Sequence, residues 1–166
     1  MNHVGPRRAG AVLALALMIV GCGSAGDRTP VAAALLDTSY PLLDGGSSSL
    51  RTHAGKPMLV NLFAKSCAPC VSEMPALEQT HREFGDRVVF VGIDTEEKAE
   101  AGREIVAQTG VTYEVGSDPV GTFLIGFGGL GVPITVLVAA DGTIAAKHLG
   151  ALSAGQLRSM INKAFF

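Results

Sequence analysis

The strongest constraint on the fold is a segment in which an apolar run, two closely spaced cysteines and a helical pattern follow one another. Residues 58–63 are almost continuously apolar and follow a proline, which predicts a buried strand of a parallel sheet. Cys67 and Cys70 come next, with two residues between them. From residue 68 to 84 apolar side chains recur every three or four positions, and Gly85 ends this pattern, which predicts a helix. The segment therefore favours an α/β fold with the cysteine pair where a strand leads into its helix.

A helix that begins at this pair gives a physical reason for redox chemistry. The unpaired N–H groups and the positive dipole end of the first turn favour a thiolate at Cys67. Pro69 suits the first turn because no N–H is needed there. We therefore predict that Cys67 is the attacking thiolate and that Cys70 resolves the mixed disulfide. A structural disulfide and a zinc site remain open, although so small a loop gains little entropy and zinc would need two further ligands.

The rest of the chain alternates strands and helices. Its 166 residues suffice for one domain with a substantial core and are too few for two. The predicted elements are a hairpin with arms 40–43 and 49–52 around Asp44-Gly45-Gly46, strand 58–63, helix 68–84, strand 88–93, helix 96–108, a short strand 111–115, a helix opening at Asp118-Pro119, strands 134–138 and 143–147 joined by Asp141-Gly142, and a helix from Ser153 to Ala164. This order predicts an α/β domain with a central mixed sheet flanked by helices and an N-terminal β-hairpin extension.

The N-terminus predicts export and lipid attachment. Arg7 and Arg8 precede the apolar run 9–20, which is shorter than the roughly 20 residues of a membrane-spanning helix and fits the core of an export signal. Ile19-Val20-Gly21-Cys22 resembles the bacterial lipobox, in which a diacylglycerol is attached to the cysteine and the chain is cut just before it. An ordinary signal peptide with an incidental cysteine, or an uncleaved anchor, are the alternatives.

These observations predict three parts of the chain. They are a lipoprotein signal peptide over 1–21, a flexible tether over 22–38 with at most a short helix at 31–36, and the domain over 39–166. The mature protein would lie on the outer face of the cytoplasmic membrane, held there by lipid on Cys22, in a compartment where disulfides persist. The net charge of −2 argues against a nucleic-acid partner, and nothing in the pattern calls for a cofactor or a metal.

The stretch from Val60 to Pro75 resembles the active-site segment of extracytoplasmic thioredoxin-like oxidoreductases of the TlpA/ResA type. The likeness runs from about Tyr40 to the C-terminus and includes a second, distant motif, Gly131-Val132-Pro133, before strand 134–138. It implies the thioredoxin fold and disulfide exchange with protein thiols. The family usually has a tryptophan before the first cysteine, where this chain has Ser66, so the docking surface for substrates is expected to differ.

The resemblance also implies roles for three further residues. Pro133 is expected to be a cis-proline facing the disulfide, with the extended backbone of Val132 able to pair with a substrate strand. Glu73 is expected near the sulfurs, where a carboxylate would raise the thiol pKa and exchange protons with Cys70. A glutamate that faces solvent is the alternative. Asn61 stands where thioredoxins proper have a buried aspartate, so a proton relay would have to use Glu73 or water.

The predicted function is therefore exchange of disulfides with the thiols of exported proteins or apocytochrome c. The direction, reduction or oxidation, stays open, and either direction needs a redox partner in the membrane. We expect a monomer. A thiol peroxidase on the same fold and a redox-inert binding lipoprotein are the alternatives, and the presence of both cysteines together with Pro133 argues against the second.

Overall fold

The computed structural model describes residues 1–2, 29–95 and 98–166. All but the first two residues of the predicted signal peptide, together with Cys22 and the acidic pair Glu96-Glu97, lie outside these residues. The strands are β1 (Ser39–Pro41), β2 (Ser47–Ser49), β3 (Met58–Phe63), β4 (Val89–Thr95), β5 (Glu114–Asp118), β6 (Ile134–Val138) and β7 (Ile144–Leu149). The helices are α1 (Ala33–Asp37), α2 (Ala68–Phe84), α3 (Ala99–Thr109), α4 (Thr122–Gly126) and α5 (Ala154–Phe165), with a 3-10 helix at Leu50–His53.

Five strands form a mixed sheet in the order β5-β4-β3-β6-β7. Strands β3, β4 and β5 are parallel, whereas β6 is antiparallel to β3 and to β7. The central strand β3 is buried along its whole length, which explains why its sequence shows no polar alternation. The predicted central mixed sheet flanked by helices, with an antiparallel pair at one edge, is confirmed.

Side chains of alternate strand residues divide the core into two clusters on the two faces of the sheet. Val60 and Leu62 belong to the cluster beneath α1 and α4. Leu59 and Phe63 belong to the other cluster, beneath α2 and α5. Because α2 lies against this second face, the cysteine at the buried end of the pair packs against residues of β3 that point toward α2.

The predicted tether is wrong for residues 29–38, which are part of the domain. The Ile144 N–H donates to Thr29 O at 2.8 Å, and the Val31 N–H donates to Gly142 O at 3.0 Å, so this segment pairs with the edge of the sheet at the start of β7. Leu35 and Leu36 on α1 are buried in the first core cluster. These two side chains would expose apolar surface in a free tether, and burying them stabilises the docked position.

The predicted N-terminal hairpin is confirmed as β1 paired antiparallel with β2. Its second arm ends at Ser49 and continues as the 3-10 helix rather than as a strand to residue 52. The ring of Tyr40 packs over Gly116 on β5, where an added Cβ would lie 2.2 Å from Tyr40 Cδ2. The hairpin is thereby fixed against the outer strand of the sheet.

Two other predicted elements are displaced. The strand predicted at 111–115 is β5, which begins at Glu114, because the Thr112 N–H and hydroxyl both donate to the buried carboxylate of Glu78 and hold this part of the chain as a loop. The helix predicted from residue 96 is described from Ala99. Within the described residues, the longest helices are too short or too polar to cross a membrane.

Candidate redox site

Cys67 and Cys70 form a disulfide at the point where β3 leads into α2, and their Cα atoms lie 5.3 Å apart. The two cysteines differ in exposure. Cys67 is half-buried at the surface, whereas Cys70 is 1% exposed and packs in the second core cluster. An incoming thiol or disulfide can therefore reach the sulfur of Cys67, and the sulfur of Cys70 faces only its partner and the interior.

The first turn of α2 directs its N–H groups at the outer sulfur. Cys67 is the N-cap residue, and the Cys70 N–H donates to Cys67 Sγ at 3.2 Å. Pro69 lies in the first turn, where its missing N–H costs no hydrogen bond. In the reduced protein the same N–H group and the helix dipole would stabilise negative charge on Cys67 Sγ. No group of three or more potential metal-ligating side chains occurs within the described ranges.

The loop before β6 covers the disulfide from the opposite side. The Val132–Pro133 peptide bond is cis, as predicted. The carbonyl oxygen of Val132 lies 3.6 Å from Cys67 Sγ, and Pro133 is buried. The Gly150 N–H donates to Pro133 O at 2.9 Å, which ties this loop to the segment after β7. The two sequence motifs, far apart in the chain, therefore meet at the sulfur of Cys67.

A row of buried polar side chains lies between the sheet and α2. The Asn61 amide donates to Thr135 Oγ1 at 3.2 Å, and the Thr135 hydroxyl lies 3.5 Å from Glu73 Oε1, to which it donates. Glu73 is 2% exposed, so the solvent-facing alternative is wrong. Its Oε2 atom has no hydrogen-bond partner of ordinary geometry among the described residues. Glu73 is three residues after Cys70, one helical turn further along α2.

Burial controls the charge of this glutamate. Removal from water raises the pKa of Glu73 from 4.5 to about 7, although the nearby Leu152 N–H and the Thr135 hydroxyl act to lower it. A carboxyl group with a pKa near neutrality changes its protonation state readily under ordinary conditions, which is what a proton donor and acceptor requires.

Sequence reasoning missed two buried residues with hydroxyl groups, Thr135 and Tyr113. Thr135 is the one polar residue of β6 and Asn61 the one polar residue of β3, and the sheet register pairs them directly. A single polar residue in each of two otherwise apolar strands was the available signal for Thr135. Tyr113 gave no such signal. Tyr113 is buried in the second core cluster, and its hydroxyl has no hydrogen-bond partner among the described residues; burial, and then the negative charges of Glu73 and Glu78, raise its pKa.

The rim of the site differs on its two sides. On the side of α3, Lys65, which is two residues before Cys67, forms an ion pair with Glu104. Ser66, which lies between Lys65 and Cys67 and stands where the predicted family usually has tryptophan, is exposed. On the side of β6 and β7 the rim is formed by the glycine-rich loop that leads to Val132.

Comparison with known proteins agrees with this geometry. The Redoxin family model matches residues 24–163. The thiol:disulfide interchange protein CycY of Rhizobium leguminosarum bv. viciae is 36% identical over 97 residues, which are 58% of this chain and 51% of that relative, so the chain spans about half of CycY. The thiol-disulfide oxidoreductase ResA of Bacillus anthracis is 28% identical over 123 residues, or 73% of this chain and 70% of ResA.

Solved structures show the same architecture. The crystal structure of a DsbF homologue from Corynebacterium diphtheriae is 28% identical and superimposes with a TM-score of 0.73, covering 83% of this chain and 88% of that one. These relatives are named as thiol:disulfide oxidoreductases, which agrees with the cysteine pair at the start of α2 and with the proline loop opposite it. The chain belongs to the Redoxin family, as a thioredoxin-fold thiol:disulfide oxidoreductase of the TlpA/ResA type.

Proposed function

We propose that this protein exchanges disulfides with the thiols of exported polypeptides outside the cytoplasm, with Cys67 as the nucleophile and Cys70 as the resolving cysteine. The observation that carries the proposal is the asymmetry of the pair. The sulfur of Cys67 is accessible and receives a hydrogen bond from the first turn of α2, whereas Cys70 is 1% exposed. A structural disulfide has no need of one reachable and one protected sulfur.

In the reducing direction the exchange takes place in two steps. The Cys67 thiolate attacks a substrate disulfide, which forms a mixed disulfide and releases one substrate thiolate. The Cys70 thiolate then attacks Cys67 Sγ, which closes the Cys67–Cys70 disulfide and releases the second substrate thiolate. Two electrons pass to the substrate. The oxidising direction is the reverse of these steps and leaves the protein with two thiols.

Glu73 is proposed to hold the proton that Cys70 gives up before the second step. Cys70 is buried, so its proton needs an acceptor inside the protein, and Glu73 lies one helical turn away with a pKa of about 7. The backbone of Val132 is proposed to receive the substrate segment beside Cys67 Sγ, since its carbonyl oxygen lies 3.6 Å from that sulfur. Pro133, buried behind it, is proposed to shape this surface.

Lipid attachment at Cys22 is proposed as the means of membrane association. It is supported by the lipobox-like sequence, and the chain is docked on the domain from Thr29 onward. Only residues 23–28 separate Cys22 from this docked segment, so their fully extended length limits the separation to about 25 Å. The domain would work close to the membrane as a monomer, with a membrane redox partner and with exported protein thiols or apocytochrome c as substrates.

The test is the reduction of insulin by dithiothreitol, followed by turbidity, with the purified domain as catalyst. We expect acceleration by the wild-type protein and none by Cys67→Ser. Consumption of hydrogen peroxide, measured in parallel, should stay at the uncatalysed rate. Peroxide consumption without insulin reduction would favour the peroxidase alternative, and absence of both activities would favour a binding role.

A further inference from the structure

A pair of polar side chains lies buried where apolar residues would fill the sheet equally well. Thr135 is 0% exposed and is the one polar residue of β6, and its register partner Asn61, 1% exposed, is the one polar residue of β3. Burial of a hydroxyl and an amide costs free energy that hydrogen bonds only offset. Valine and leucine would avoid this cost, so packing alone does not account for the pair.

The hydrogen bonds of this pair lead in one direction, toward α2. The Asn61 amide donates to Thr135 Oγ1 at 3.2 Å, and the Thr135 hydroxyl donates to Glu73 Oε1 at 3.5 Å. A threonine hydroxyl has a single hydrogen, and its oxygen here already accepts from Asn61. That hydrogen is therefore left to Glu73, and the amide of Asn61 fixes Thr135 as a donor to the carboxylate.

The two oxygens of Glu73 are consequently not equivalent. Oε1 accepts from Thr135, whereas Oε2 has no hydrogen-bond partner of ordinary geometry among the described residues. A hydrogen bond donated to the carboxylate favours its charged form and so opposes burial, which is the larger effect and raises the pKa of Glu73 to about 7. Loss of the Thr135 hydroxyl should therefore raise this pKa further, and the oxygen open to a transferred proton is Oε2.

The surroundings of Glu73 contain few other ionisable groups. Strands β3 and β6 carry no charged side chain, and neither does the segment 150–156 that leads into α5. Cys70 lies one turn earlier on α2, and Tyr113 is buried in the same core cluster. Burial, and then the nearby negative charges, raise the pKa of Tyr113, so its hydroxyl stays neutral. His81 lies two turns beyond Glu73 on α2 and packs against Tyr113. A pH dependence that disappears with Glu73 can therefore be assigned to this carboxyl group rather than to His81.

We propose that Thr135 is a positioning residue, whose hydroxyl holds Glu73 Oε1 as a hydrogen-bond acceptor and leaves Oε2 to take the proton of Cys70. Asn61 orients that hydroxyl. The inference rests on the proposed function, because it concerns the resolving step at the same site. In that step the Cys70 S–H bond breaks, its proton passes to Glu73 Oε2, and its electron pair forms the bond to Cys67 Sγ. The substrate leaves as a thiolate, and the proton stays on Glu73 until reduction of the pair returns it to Cys70.

The test separates the two steps with one equivalent of dithiobis(nitrobenzoate), an aromatic disulfide that releases a coloured thiolate at each step. Reduced protein should release the first thiolate on attack by Cys67 and the second when Cys70 resolves the mixed disulfide. The rate of the second release should rise with pH through a midpoint near the pKa of Glu73, about 7. Thr135→Val should move this midpoint up by about one pH unit and slow the second release about tenfold at pH 6. The first release should not slow.

Three further variants show whether the effect passes through Glu73. Thr135→Ser keeps a hydroxyl and should keep the wild-type midpoint. Thr80→Val is the matched control, because Thr80 is also fully buried but donates to Ala76 O on its own helix, so the midpoint should stay at the wild-type value. In a Glu73→Gln protein, whose second release should be slow and lack this midpoint, adding Thr135→Val should change the rate no further.

Asn61→Leu provides a second variant should Thr135→Val fail to fold in urea titrations. It frees the Thr135 hydroxyl to turn away from Glu73 and should also raise the midpoint. A wild-type midpoint in either of these variants, an equal shift in Thr135→Ser or Thr80→Val, or a further effect of Thr135→Val without Glu73 would each overturn the proposal. The proposed function would survive those results. It would fall together with the proposal if the reduced wild-type protein released no second thiolate at any pH.

Discussion

Replacing Glu73 by glutamine should change how the stability of the oxidised protein depends on pH. Glu73 is 2% exposed, and its pKa rises from 4.5 in an open chain to about 7 in the fold. The folded state therefore holds a proton between these values that the unfolded state has released. Its contribution is fully present below pH 4.5 and is lost as the pH rises through 7.

The size of the effect follows from the size of the pKa shift. One pKa unit corresponds to about 1.4 kcal/mol, so the whole shift is worth about 3 kcal/mol of unfolding free energy. Between pH 5 and pH 8 the wild-type protein should lose about 2–3 kcal/mol relative to Glu73→Gln, because glutamine cannot ionise. Other titrating groups cancel in this comparison, and the disulfide keeps the cysteines from titrating.

The assay is urea unfolding of the oxidised wild-type and Glu73→Gln proteins at pH 5 and pH 8. Glu83→Gln serves as a control, because Glu83 is exposed and paired with Arg158, which lowers the pKa of that carboxyl group. Glu83→Gln keeps Glu73, so its unfolding free energy should fall toward pH 8 as much as that of the wild type, and the difference between these two proteins should not fall. The reasoning is refuted if the difference in unfolding free energy between wild type and Glu73→Gln is the same at both pH values.

Three further predictions concern the cysteines and the hairpin. Cys67→Ser should abolish exchange, whereas Cys70→Ser should accumulate mixed disulfides with substrate, visible on non-reducing gels; trapping by Cys67→Ser instead would reverse the roles. Gly116→Ala should lower the unfolding free energy by about 2 kcal/mol or more in urea titrations, because its Cβ would overlap Tyr40; wild-type stability would contradict the packing described. Cys22→Ala should release the domain from membranes or leave the precursor uncut, and a cleaved, membrane-bound mutant in cell fractions would remove the lipid assignment.

The sequence predicted those parts of the fold whose signals are local. The apolar run of β3, the periodicity of α2 and the Asp141-Gly142 turn each reflect a short-range rule, and each element lies where it was expected. The docking of α1 depended on tertiary contacts. The sequence allowed a short helix at 31–36, but so short a segment does not show whether it docks, and only its packing beside α4 shows why Leu35 and Leu36 are apolar.

The site was predictable in its motifs and less so in its interior. The spacing of the cysteines and the second motif at Pro133 located the surface of the site. Helical spacing placed Glu73 one turn beyond Cys70 but could not tell whether that face of α2 meets the sheet or solvent. Glu73 is buried, with a pKa of about 7, because α2 packs against the sheet at the position of Thr135. Side-chain environment depends on long-range packing, which the local pattern does not encode.

The most direct test of the central claim is a redox titration of the Cys67–Cys70 pair. The protein is equilibrated in glutathione and dithiothreitol buffers of known potential, free thiols are alkylated, and the fraction with two alkyl groups is measured by mass spectrometry. An exchanging pair should gain both thiols in one two-electron transition with a midpoint between about −120 and −270 mV. A disulfide that stays intact below about −300 mV would be structural, and that result would contradict the account.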